Sequence, residues 1–162
     1  MMNSLKLGAL TAVILPAMAA VAAAQSSTQT FQYQVNAINV ISLSAVPTLT
    51  ISAAVPGSPP TPKASTGVFW AITTNQSNAK VTARINLAMP VGVTMTLVLE
   101  KPALVGVSAG VKTLTTTAQD MVTGLTKVAE GGLDATFTLT ATSAAGVVSG
   151  SRTVTFTLTG GV

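Results

Sequence analysis

An all-β sandwich, immunoglobulin-like with Greek-key connections and about seven to nine strands, is the fold class this sequence predicts. Two observations carry the prediction. The first is strict alternation of apolar and polar residues in the C-terminal third: Leu133, Ala135, Phe137, Leu139 and Ala141 alternate with Asp134 and a run of threonines, and Val154, Phe156 and Leu158 alternate with Thr153, Thr155, Thr157 and Thr159. A period of two places one set on each face of a pleated strand. The second is composition. The chain has 162 residues, 48% of them hydrophobic and only 7% charged. That length holds a real core, and the outer faces are covered by Thr, Ser, Asn and Gln instead of Lys and Glu. A jelly roll is the second choice of topology.

The N-terminus has the layout of a Sec signal peptide, residues 1–24. Lys6 and the amino terminus supply positive charge, Leu7 to Leu15 is apolar, Pro16 ends the run, and Ala20 to Ala24 offers small residues for cleavage. The expected chain is therefore a signal helix followed by one sandwich domain, 25–162, exported to the periplasm, cell surface or medium. No cysteine follows the apolar run, so a lipid anchor is excluded, and no later segment is long and apolar enough to cross a membrane as a helix.

Past the signal, Gln25 to Thr30 is polar. Phe31, Tyr33, Val35 and Ala37 alternate with Gln32, Gln34 and Asn36. The phase slips near Ile38 and again near Ile41, which predicts a long first strand with a bulge or a change of sheet. Pro47 interrupts it, and Thr48 to Ala53 resumes it with Leu49 and Ile51 inward. Val55 to Pro62 (VPGSPPTP) has four prolines and is a loop, because proline cannot donate to a sheet ladder. Gly67 to Thr74 is apolar on both faces around Phe69 and Trp70, as in a central strand. Asn75 to Ala79 is a turn. Val81 to Leu87 and Val93 to Leu99 both alternate and flank a Met-Pro-Val-Gly turn, which predicts a hairpin. Pro102 to Gly110 is a loop and Val111 to Thr117 a strand. In Ala118 to Val128 the spacing of Ala118, Met121, Val122 and Leu125 suits either a short helical crossover or an irregular step between sheets. Glu130-Gly131-Gly132 is a turn leading into the final strand pair, Leu133 to Thr142 with Arg152 to Thr159.

The same composition limits the chemistry. There is no histidine and no cysteine, which removes the usual general base, the soft nucleophile and the ligands of transition-metal sites. The acids are Glu100, Asp120, Glu130 and Asp134. Glu130 and Asp134 flank a Gly-Gly pair, and solvated turn carboxylates outweigh a calcium site there. The expectation is a protein without catalytic residues, cofactor or metal. The basic residues are scattered along the chain, whereas nucleic-acid binding needs them clustered. Trp70 reads as a core side chain more readily than a sugar-stacking platform. Tyr33 and Phe31 are candidates for an interface or sheet edge.

The threonine ladders are the most distinctive feature. Natural sheets guard their edges with charge, above all lysine, yet Thr136 to Thr142 and Thr153 to Thr159 carry none. If either is an edge, another subunit is expected to add a strand there, with the first strand and its polar leader as donor. The segments TLTTTAQDMVTGL (Thr113 to Leu125) and SGSRTVTFTLT (Ser149 to Thr159) resemble those of small bacterial exported, Thr/Val-rich β-sandwich proteins. In general architecture the chain is also similar to pilin and matrix-fibre subunits that polymerise by donor-strand exchange, although it lacks the disulfide cysteines of chaperone-usher pilins. The resemblance implies an exported, non-enzymatic structural protein whose partner is itself. The alternative is a monomeric binding module for a glycan or protein.

Overall fold

The computed structural model describes residues 24–161. The segment read as a signal peptide, residues 1–24, therefore lies outside the described residues apart from Ala24. The chain divides into two units, 1–34 and 35–162. In the first, the described residues 24–34 are exposed and belong to no helix or sheet. The second is a two-sheet antiparallel sandwich. Its strands are β1 (Asn39–Leu43), β2 (Lys63–Ala64), β3 (Phe69–Thr74), β4 (Ala79–Ile85), β5 (Val93–Leu99), β6 (Val107–Ser108), β7 (Lys112–Thr113), β8 (Gln119–Leu125), β9 (Val128–Ala141) and β10 (Val154–Thr159).

One sheet runs β1-β3-β9-β5-β7, with β2 pairing the distal half of β9; the other runs β10-β4-β8-β6. After β3 the longer strands alternate between the sheets, so each connection arches over an end of the sandwich. The order β1-β3-β9-β5 matches strands A-B-E-D of an immunoglobulin domain, and the adjacent pair β4-β10 matches C and F. The position beside F, where an immunoglobulin domain places strand G, holds no strand among the described residues.

The core forms where the alternation is cleanest. Ala79, Val81, Ala83 and Ile85 of β4 are buried, with Lys80 and Arg84 outside. Leu97 and Leu99 of β5, Met121, Val122 and Leu125 of β8, and Leu133, Ala135 and Phe137 of β9 complete the interior together with Trp70 and Ile72. A fully buried Val, Leu or Ile side chain contributes about 1.5–3 kcal/mol relative to exposure, so this cluster is what holds a domain without disulfides.

Several pairings differ from the sequence reading. Leu133 to Thr142 and Arg152 to Thr159 are strands, but not partners: β9 lies between β3 and β5, while β10 pairs only with β4. Their apolar faces meet across the sandwich, where the rings of Phe137 and Phe156 pack edge to face at 6.5 Å. Likewise β4 and β5 are not a hairpin. Each has one apolar face to bury, and residues 86–92 carry the chain from one sheet to the other. Ala118 to Val128 is no helix but β8 plus a step between sheets. Met121 and Val122 are both buried, and the ladder to β4 slips its register around Val81. Glu130-Gly131-Gly132 lies inside β9, where the β3 ladder shifts register between Trp70 and Ile72; a bulge, not a turn, uses the left-handed φ of Gly132. The strand expected at Val111 to Thr117 shrinks to Lys112–Thr113, and the long first strand shrinks to Asn39–Leu43.

The Met89–Gly92 turn is where expected, closed by the Val93 N–H donating to Pro90 O at 3.0 Å. Gly92 has φ +77°, and a Cβ there would stand 2.6 Å from Ala145 N. Gly92→Ala is expected to cost about 2–4 kcal/mol from left-handed strain and overlap together, read as a lower urea midpoint with an unchanged slope.

Candidate functional site: the groove beside the last strand

β10 is the edge of its sheet. Its sequence, VTFTLT, alternates half-buried Val154, Phe156 and Leu158 with exposed Thr155, Thr157 and Thr159. The threonines face solvent because the inner face must cover the core. The inner residues are only half covered, and among the described residues no strand pairs on their open side. Two contacts fix the start of the strand. The Arg152 guanidinium donates to Ala88 O through Nε (3.1 Å) and Nη2 (2.9 Å), and the Thr153 N–H donates to Asn86 Oδ1 at 3.0 Å.

The facing edge belongs to the other sheet. Beyond β1 the chain runs on through residues 45–53 as an extended segment in no ladder. Leu43, Pro47, Leu49 and Ile51 are half-buried while Ser44, Thr48, Thr50 and Ser52 are exposed, which is strand alternation without a strand partner. Between this segment and β10 lies a groove of about 1210 Å³. Its floor is made by Met89, Met95, Phe137 and Leu139, and its walls by Leu49, Ile51, Val154 and Phe156. The two edges converge at one end, where Gly160 packs so closely on Asn39 that a Cβ would stand 2.8 Å from Asn39 Nδ2. They diverge toward Leu49 and Val154. The groove is thus a wedge, apolar inside and edged by two rows of hydroxyl side chains.

The residues singled out from the sequence are dispersed. Trp70 is 1% exposed, and its indole Nε1 donates to Glu100 O at 3.1 Å. Its ring is core and offers no face for a sugar to stack on. Phe31 and Tyr33 lie in the leader before β1, 83% and 94% exposed. Three of the four acids serve the backbone or a surface pair. Glu100 accepts from the Asp134 N–H at 2.9 Å, Glu130 accepts from the Ala103 N–H, and Asp120 pairs with Lys80 at 2.9 Å. Among the described residues no three His, Cys, Asp or Glu side chains come together as metal ligands, and no helix is long and apolar enough to cross a membrane.

Sequence reasoning found β10 but missed its facing wall. Leu49 and Ile51 carry the alternation of an ordinary core strand, and nothing local records that their sheet edge is unpaired. Comparison with protein-family models, curated proteins and solved structures finds no match for this chain.

Proposed function

We propose that this protein is an exported, non-enzymatic structural subunit of the cell surface or extracellular matrix that assembles with copies of itself by strand addition. The observation that carries the reading is the edge position of β10, a six-residue strand with no charged side chain, no proline and no bulge. Edge strands of monomeric proteins are guarded by such features because unpaired N–H and C=O groups recruit another strand. Here the open edge also borders an apolar groove, so an added strand gains both a ladder and buried side chains.

The purified chain beginning at Gln25 is expected to form filaments or SDS-resistant oligomers, seen by negative-stain microscopy and by gel electrophoresis without boiling. A strictly monomeric species across a broad concentration range in sedimentation would overturn the proposal.

A further inference from the structure

We infer that the groove between residues 45–53 and β10 is the seat for the segment Phe31–Ala37 of a second copy of this chain, with Phe31, Tyr33 and Val35 turned into it. The inference rests on the strand-addition reading and names its donor, its acceptor and its geometry.

Three features of the groove define its occupant. It lies at the immunoglobulin G position, which holds no strand among the described residues, so an occupant that pairs there is one extended segment beside β10. Its inner wall offers half-covered apolar side chains at alternate positions of β10, Val154 and Phe156, which calls for apolar residues at every second position of the occupant. Along this wall its lining runs from Arg152 to Phe156, five residues or about 17 Å.

The leader supplies all three. Phe31, Tyr33 and Val35 stand at alternate positions and are 83%, 94% and 75% exposed. Large apolar side chains at that spacing, belonging to no sheet, are an unspent strand face. Gln32 and Gln34 between them match the threonine face of β10 in polarity and carry no charge. The five residues from Phe31 to Val35 span about 17 Å when extended, and Asn36 and Ala37 lead from the groove to the donor's own β1.

Asn75 decides whose groove is filled. Its side-chain Oδ1 accepts from the Ile38 N–H at 2.8 Å, its Nδ2 donates to Asn36 O at 2.8 Å, and its own backbone N–H donates to Ile38 O at 3.3 Å. These bonds continue the β1–β3 ladder past the Asn39–Thr74 pair and hold residues 36–38 straight. For a chain to fold its leader back beside its own β10, it must reverse immediately before β1, at the residues this clasp holds straight. A reversal placed earlier consumes Tyr33 and Val35. A second copy meets no such restriction, and each added copy presents a new leader and a new groove.

The chain has no cysteine, so an introduced thiol is unique. Neighbouring strands bring side chains on one face to disulfide distance. Gln32→Cys and Gln34→Cys are each mixed with Thr155→Cys and Thr157→Cys in full chains beginning at Gln25, and oxidised mildly. The expected result is a disulfide-linked heterodimer in at least one pairing, at least tenfold over the yield with the exposed control Thr116→Cys. Assembly with no such crosslink in any pairing overturns this inference and leaves the strand-addition reading standing. So does a double variant, such as Gln32→Cys with Thr157→Cys, that crosslinks within one chain instead of between chains. Absence of any assembly overturns both.

Discussion

Val154→Lys is expected to hold the protein as a monomer while leaving the sandwich folded. Val154 is half-buried at the open end of the groove and pairs with Ile85 of β4. While the groove stays open, a lysine there extends its stem over apolar surface and keeps its ammonium in water. A strand laid along β10 takes that route away, and the ammonium is buried without a partner. An unpaired buried charge costs several kcal/mol, so association is expected to weaken at least a hundredfold. Circular dichroism checks the fold and sedimentation velocity checks the assembly. The contrasting variant is Thr157→Lys, on the exposed face opposite Thr82. Its ammonium remains solvated whether or not a strand is added, and its effect on association is expected to be no more than a few-fold. Equal effects of the two substitutions would mean that the groove is not the contact.

Trp70→Ala is expected to cost about 3–5 kcal/mol of stability. The indole fills the core between the sheets, and its N–H reaches Glu100 O just past the end of β5. Truncation leaves a cavity and an unpaired carbonyl together. Against a total stability of about 5–15 kcal/mol, the variant is expected to sit near its unfolding midpoint in low urea. Trp70→Phe retains most of the packing and is expected to lose about 1–2 kcal/mol, the scale of one hydrogen bond and a smaller ring. Equilibrium unfolding followed by far-ultraviolet circular dichroism separates the two. A Trp70→Ala loss under 1 kcal/mol would contradict the burial described for this ring.

The strands were legible from the sequence where burial is one-sided. Ala79 to Ile85 and Leu133 to Ala141 each alternate, and each puts one face into the core. Alternation fixes which face is buried but not which strand lies alongside. For that reason the two C-terminal strands looked like partners although they face each other from opposite sheets, and β4 and β5 looked like a hairpin. Gly131 and Gly132 looked like a turn because a glycine pair serves a bulge inside a strand equally well. Met121 and Val122 obscured β8 because a bulge puts two neighbouring residues inward, which imitates helical spacing. The uncharged edge at β10 was readable as a conditional statement, and the topology supplied the condition by placing it outermost. The groove was not readable. It exists only because the segment after β1, the floor side chains Met95 and Phe137, and β10 come together from distant parts of the chain.

Residue-resolved hydrogen exchange on β10 tests the central claim most directly. Antiparallel pairing to β4 occupies one side of the strand, so the amides of residues 154–156 that point away from β4 face the groove. In assembled wild-type material these amides are expected to be protected to the level of the β4-facing ones. In the Val154→Lys monomer they are expected to exchange rapidly, with the β4-facing amides still protected. Assembled protein whose outward β10 amides exchange as fast as those of the monomer would contradict strand addition at this edge.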